Sequence, residues 1–176
     1  MKGKLITTVL CTLFVSGISL AVALAPQGSV YKLKEAGIQI TVPAGWEVES
    51  DAKGVTLSKK EKGDSFAIAS MATLDVDASA SLEDTFKLAW QGALEGMKGD
   101  IKDLKLVGES AKATQNGIPT MVQSFTGTQA GLQMVGTFCV LKADKPTMLL
   151  LYGTLNTSEA FEKEFNKMMD SIKKAE

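Results

Sequence analysis

Three oxygen-bearing side chains have the spacing of a calcium-binding loop. Asp75, Asp77 and Ser79 alternate with other residues, as ligands one, three and five of such a loop do. The rest of the loop does not follow, because Ala80 stands where a glycine makes the sharp turn and Phe86 stands where a bidentate glutamate belongs. The segment is better explained as a solvated linker before a helix. We therefore predict no metal site and no cofactor.

Two other polar runs allow a functional and a simpler structural interpretation. Lys59, Lys60 and Lys62 could form a docking patch, but a soluble hairpin tip explains them more simply. Residues 156–158 read "NTS", which is formally a glycosylation sequon. The same asparagine can cap a following helix, with Glu159 three residues later, and we prefer this interpretation.

The residue types that most enzymes use are missing. The chain has 176 residues, no histidine and 19 basic residues, all of them lysine. Without histidine, the usual general base near neutral pH and the imidazole metal ligand are absent. Without arginine, there is no bidentate clamp for carboxylate or phosphate. The sequence predicts no catalytic and no cofactor-binding residue, and a protein that is not an enzyme. The alternative is a hydrolase built on lysine, serine and acidic residues.

The N-terminal segment has the composition of an export signal. Two lysines stand among the first four residues, residues 5–25 carry no charge, and the run closes with "AVALA". A basic start, an apolar middle and small residues at the end are typical of a signal peptide. We predict a signal peptide over residues 1–25, cleaved after Ala23 or Ala25, so that N-terminal sequencing should find Leu24 or Pro26 first. An uncleaved membrane anchor is the alternative.

The remainder, residues 26–176, has the length of one domain. Removing the two lysines of the signal leaves 17 lysines against 20 acids, a net charge of −3. Nucleic-acid binding is excluded by the lack of a basic excess, and membrane contact is expected only through an uncleaved signal. Cys139 is the one cysteine left, so no internal disulfide can form, and we interpret it as a small core residue.

The first half of this domain alternates like a β-sheet. Residues 26–36 show no clear period and are predicted to be an irregular lead-in. Ile38, Ile40 and Val42 then share one face of a strand. After the turn at residues 43–45, Trp46 begins the next strand. It is either presented to a ligand or buried as a plug of the core, and we favour the core position.

The period then changes to that of a helix. Ser81 with Asp84 makes a capping start. Trp90 is predicted to lie on the buried face. The apolar residues at helical spacing are Leu82, Phe86, Ala89, Trp90, Ala93, Leu94, Met97 and Ile101.

Four strands and a second helix complete the chain. We predict an antiparallel meander, with its first hairpin at Asn116-Gly117. The apolar run 148–152 is predicted to lie in mid-sheet, because it is apolar on both faces. In the closing helix, Lys173 and Lys174 are predicted to lie at the C-terminal end, where the helix dipole favours cations.

This order of elements resembles the PsbP-like fold. The first strand ends in "VPAGW" at residues 42–46 and the last helix in "SIKK" at residues 171–174; the most specific pieces are P-x-G-W and F…SIK, and the resemblance spans residues 37–174. It implies an α/β/α sandwich with a central antiparallel sheet and helices against its faces, in the α+β class. It also implies binding or docking rather than catalysis, and the group closest in character is the DcrB-type periplasmic proteins.

The sequence thus predicts an exported, non-catalytic envelope protein. It would be a binding or accessory module for an unknown protein or apolar ligand, with binding residues left open. The compartment is expected to be extracytoplasmic: the periplasm, with a thylakoid lumen as the alternative. A shallow apolar groove on the sheet would favour binding, whereas a lysine near a serine in a pocket would favour the hydrolase.

Overall fold

The computed structural model describes residues 23–24, 28–51, 53–60, 65–77, 79–155 and 159–175. The elements, in chain order, are β1 (Ala23–Leu24), β2 (Ser29–Leu33), a 3-10 helix (Lys34–Ala36), β3 (Ile38–Val42), β4 (Glu47–Ser50), β5 (Gly54–Lys60), β6 (Phe66–Thr73), α1 (Leu82–Met97), β7 (Lys102–Gln115), β8 (Ile118–Gln129), β9 (Leu132–Lys142), β10 (Pro146–Thr154), α2 (Glu159–Asp170) and β11 (Lys173–Lys174).

The main sheet is antiparallel throughout, with the strand order β1-β4-β5-β6-β10-β9-β8-β7. The four-strand meander is confirmed, and β10 lies in mid-sheet with residues 146–150 buried. The hairpin between β7 and β8 turns at Asn116 and Gly117, whose φ angles are 46° and 80°. Two positive φ angles match the right-handed twist of the flanking strands, as the sequence predicts.

A second, three-stranded sheet of order β11-β3-β2 packs against the main sheet. Alternate residues of β3 are buried, as their spacing predicts. Ile38, Ile40 and Val42 join Leu57 and Met71 of the main sheet in one hydrophobic cluster. The sequence did not separate this small sheet from the large one.

Different elements pack on the two faces of the main sheet. On one face, α1 lies over β8 and β9, and Phe86 and Trp90 pack against Phe138. On the other face lie α2 and the small sheet, with Met168 and Ile172 in the cluster. Each face therefore carries a helix, and the α+β sandwich with a central antiparallel sheet is confirmed.

Helix α1 begins as predicted and ends earlier than predicted. Ser81 is its N-cap, because its hydroxyl accepts a hydrogen bond from the backbone N–H of Asp84 at 3.1 Å. The helix stops at Met97, although the apolar spacing predicts that it runs on to Ile101. Ile101 has left the helix but is still buried in the same cluster, so its apolar character reports packing and not helical conformation.

The C-terminal lysines are not at a helix end, which corrects the sequence prediction. Lys173 and Lys174 form β11 and pair with Gln39 and Ile38 of β3. The chain leaves the helix at Ser171, whose hydroxyl accepts a hydrogen bond from the backbone N–H of Thr41 at 2.8 Å. The free edge of β3 thus takes up residues that would otherwise extend the helix.

The lead-in is also more ordered than its sequence suggests. Ser29–Leu33 is a strand, β2, paired with β3. Its inward and outward positions alternate, but Val30 is an apolar residue on the outward face. Because this exposed valine interrupts the alternation of apolar and polar residues, the two-residue period of the strand cannot be recognised in the sequence.

Across the described ranges, no helix is both long enough and apolar enough to cross a membrane.

Candidate functional site

Asp75, Asp77 and Ser79 are all exposed. One carboxylate oxygen of Asp77 accepts hydrogen bonds from both the backbone N–H and the hydroxyl of Ser79, each at 2.8 Å. These two bonds hold the pKa of the Asp77 carboxyl below its usual range. The carboxylate of Asp75 instead faces the Lys53 ammonium, 3.8 Å away. In the part of the chain that the structure describes, no three acidic or cysteine side chains converge as metal ligands would.

We expect calcium to leave the thermal stability of the protein unchanged. A cation that binds only the folded state raises its melting temperature, and the carboxylates here already have other partners. The measurement is a thermal melt in millimolar calcium beside one in chelator. A rise of more than about 2 °C that disappears in Asp75→Ala would contradict the metal-free prediction.

The sequence left a docking patch of three lysines as the alternative to a hairpin tip, and the structure describes two of them, Lys59 and Lys60. The Lys59 ammonium lies 2.6 Å from the Glu164 carboxylate of α2, and both side chains are about three-quarters buried. Lys59 therefore ties α2 to the sheet. Lys60 is exposed at the end of β5, and Lys62 lies outside the described residues, as does the sequon at 156–158.

Trp46 is a core residue, as the sequence predicts. Its side chain is fully buried, and its ring stacks on that of Phe165 with centroids 6.1 Å apart. Its indole N–H donates a hydrogen bond to the Glu164 carboxylate at 3.1 Å. Glu164 thus accepts from both Trp46 and Lys59, and the three side chains fix α2 on the sheet.

Cys139 is buried in β9, as predicted. Burial raises the pKa of the Cys139 thiol to about 12. Since the thiolate is the reactive form, only about one molecule in ten thousand carries it at pH 8.

We therefore expect Cys139 of the processed chain to resist a thiol reagent such as Ellman's reagent at pH 8. The same chain in concentrated guanidinium should release one equivalent of chromophore, because unfolding restores an ordinary thiol pKa. Complete labelling of the native protein within minutes would contradict this prediction.

The main functional candidate is an apolar groove on the face of the sheet that α2 shares. Its volume is about 370 Å³. Six elements supply its lining: the five strands β6 to β10, and α2. Its apolar walls are Val107, Val135, Leu151 and Phe165.

Small side chains create the groove. Ala67, Ser124 and Gly153 stand on three different strands and line its floor, where larger side chains would fill the space. At Gly153 a Cβ atom would lie 2.7 Å from the carbonyl oxygen of Phe66, so strand packing also excludes a side chain there. The outer wall is open, because Val107 and Val135 are exposed large apolar residues.

A second cavity of about 260 Å³ is bordered by polar groups. It lies between β2 and the β4–β5 hairpin and includes Ser50, Asp51 and Lys53. One carboxylate oxygen of Asp51 accepts hydrogen bonds from the backbone N–H groups of Lys53 and Gly54, at 2.7 and 2.8 Å. The Lys53 side chain is 59% exposed. A serine and lysines share this cavity, but the lysine nearest to Ser50 in sequence is solvated and faces Asp75.

Neither a protein-family model nor a curated protein matches this sequence. Solved structures do. A putative regulator of unknown function from Pseudomonas aeruginosa, PA94, has a TM-score of 0.51 and 16% identity, over 83% of this chain and 96% of that one. A Bacteroides thetaiotaomicron structure has a TM-score of 0.50 and 8% identity, over 86% of this chain and half of that one. LpqN of Mycobacterium tuberculosis, described as involved in cell envelope biogenesis, has a TM-score of 0.44 and 16% identity, over 88% and 91%. Likeness at these identities concerns the fold.

The sequence placed no residue in the groove. Its strand pattern assigns residues to faces of the sheet, but it gives no sign of which part of a face stays uncovered. The one available signal was the adjacent apolar pair Leu106-Val107, which breaks the alternation of its strand; the structure exposes both residues.

Proposed function

We propose that this protein is an extracytoplasmic, non-catalytic accessory module that binds an apolar ligand in the groove between α2 and the main sheet. The observation that carries the proposal is the groove itself. Its volume of about 370 Å³ falls within the range of ligand sites, which are mostly apolar and carry few polar groups. Its open wall exposes apolar side chains that folding alone would be expected to cover.

The export signal and the fold resemblance support the location. A chain with the charge-free segment 5–25 is expected to leave the cytoplasm. The DcrB-type group within the PsbP-like fold is periplasmic and is not generally enzymatic, and this resemblance supports a periplasmic binding role. The absence of histidine and arginine supports a non-catalytic role.

The test uses N-phenyl-1-naphthylamine, a neutral dye whose fluorescence rises in an apolar environment. We expect saturable binding to the processed protein, and about tenfold weaker binding to Val107→Asp, because a carboxylate in an apolar wall loses hydration when the ligand covers it.

The matched control is Val30→Asp. Val30 and Val107 lie in edge strands of different sheets and are 51% and 52% exposed, but only Val107 lines the groove. Equal dye affinity of the two variants would contradict the proposed site, and absence of saturable binding to the unmodified protein would contradict the proposed function.

A hydrolase is the second candidate, and the polar cavity favours it. Ser50, Lys32 and Lys53 border the same space, and lysine can act as the base for a serine nucleophile. An esterase, peptidase and phosphatase screen tests it. Turnover that disappears in Ser50→Ala, at unchanged stability, would replace the binding proposal.

A further inference from the structure

The groove carries a single charge on an otherwise uncharged surface. Glu162 is the one Asp, Glu or Lys among its described lining residues. Tyr152 also borders the groove, and burial raises the pKa of its phenol group, so that it stays neutral at physiological pH. The remaining described lining residues are apolar residues, glycines, serine and threonines.

Lys163, the next residue of α2, and Lys59, the sheet lysine that contacts α2, both pair with other carboxylates. Lys163 pairs with Glu159 at 2.6 Å, and Lys59 pairs with Glu164 at 2.6 Å. Among the residues that the structure describes, none forms an ion pair with Glu162. Its carboxylate is therefore available at the rim of the groove.

Resting on the proposed function, we propose that the groove selects small amphiphilic molecules that have one apolar chain and a cationic end group. The apolar chain lies against Val135, Leu151 and Phe165, and the cationic end lies at Glu162. A molecule of this kind matches both parts of the surface. A neutral chain leaves the carboxylate unused, and an anionic end group is repelled by it.

The size of the preference follows from the exposure of Glu162. An exposed ion pair strengthens binding by only about 1.4- to 5-fold, and a like-charged pair weakens it by a similar factor. The affinity of a cationic ligand is therefore expected to exceed that of an anionic ligand of the same chain length by about two- to thirtyfold. The preference should weaken as salt screens the pair.

The experiment is displacement of the neutral dye by three twelve-carbon compounds below their micelle concentrations: dodecyltrimethylammonium, dodecyl maltoside and dodecyl sulfate. We expect the cation to displace the dye at the lowest concentration and the anion at the highest. In Glu162→Gln, the ratio of the concentrations at which the anion and the cation displace the dye should fall below about twofold. This ratio is measured within the variant, so that it does not depend on the affinity of the variant for the dye.

Glu159→Gln is the matched control. It removes the same charge one turn away on the same helix, from a residue that does not line the groove, and the preference should survive it. If the dye binds but the three compounds compete equally, the present inference is wrong and the proposed function stands. If the dye does not bind, the proposed function itself fails.

A fourth competitor addresses the nature of the occupant. A short peptide of alternating leucine and lysine offers the same two features on a protein chain. If it displaces the dye while dodecyltrimethylammonium does not, the occupant is a protein segment, and the assignment to a small amphiphile is overturned.

Discussion

Trp46→Ala is expected to lower the free energy of unfolding by about 3–5 kcal/mol, the range for truncation of a large buried aromatic residue. The ring is fully buried, stacks on Phe165 and donates to Glu164. The substitution leaves a cavity between the sheet and α2, and it removes one of the contacts that hold this helix. Urea unfolding followed by circular dichroism measures the change.

Trp46→Phe separates the two contributions. Phenylalanine keeps an apolar ring but cannot donate to Glu164, which still has Lys59 as a partner. We expect a loss of about 1.5–3 kcal/mol, the range for a hydrogen bond to a charged group. A loss below about 1 kcal/mol in Trp46→Ala would show that the ring is not a core residue and would revive a ligand role for it.

Phe138→Ala is expected to have an effect of similar size on the opposite face of the sheet. Phe138 is fully buried, and its ring centroid lies 5.0 Å from that of Trp90 and 5.4 Å from that of Phe86. The loss should again be about 3–5 kcal/mol, because both aromatic residues of α1 lose the ring on which they pack.

The second readout for Phe138→Ala is the emission of Trp90. In a Trp46→Phe background Trp90 is the only tryptophan, so that its emission reports on α1 alone. We expect a shift to longer wavelength as water approaches the indole. Phe66→Ala is the control, since Phe66 is only partly buried and lies near Tyr152, at a centroid distance of 6.4 Å. An effect no larger than that of Phe66→Ala would contradict the assigned position of Phe138 in the core.

The local features of this fold follow from short-range patterns in the sequence. Asn116-Gly117 set the hairpin because only residues that tolerate positive φ fit a turn of that hand. Ser81 determines the start of α1, because its hydroxyl accepts a hydrogen bond from the backbone N–H of Asp84, only three residues later in the sequence. The alternation of buried and partly exposed residues in β3 also follows from the order of adjacent residues. Each of these depends on neighbours within a few positions.

Only the tertiary structure determined which elements pack on each face and edge of the sheets. The sequence around Lys173 and Lys174 is typical of a helix end. In the structure these two residues instead form a strand that pairs with the edge of β3. Lys59 has the sequence context of a solvated tip, yet it pairs with a residue 105 positions away. Val30 concealed the strand period of β2 because it is an apolar residue on the exposed face of that strand.

The groove is the clearest case of this division. The sequence predicted a mid-sheet strand over the apolar run that contains Leu151, and a closing helix, the element that carries Phe165. The space between these residues stays open for two reasons. The helix α2 and the small sheet extend only part of the way across the main sheet, and small residues such as Ala67 and Gly153 come together at this place. A period of two residues fixes the side of a sheet to which a side chain points, but it carries no information on which distant element covers that side.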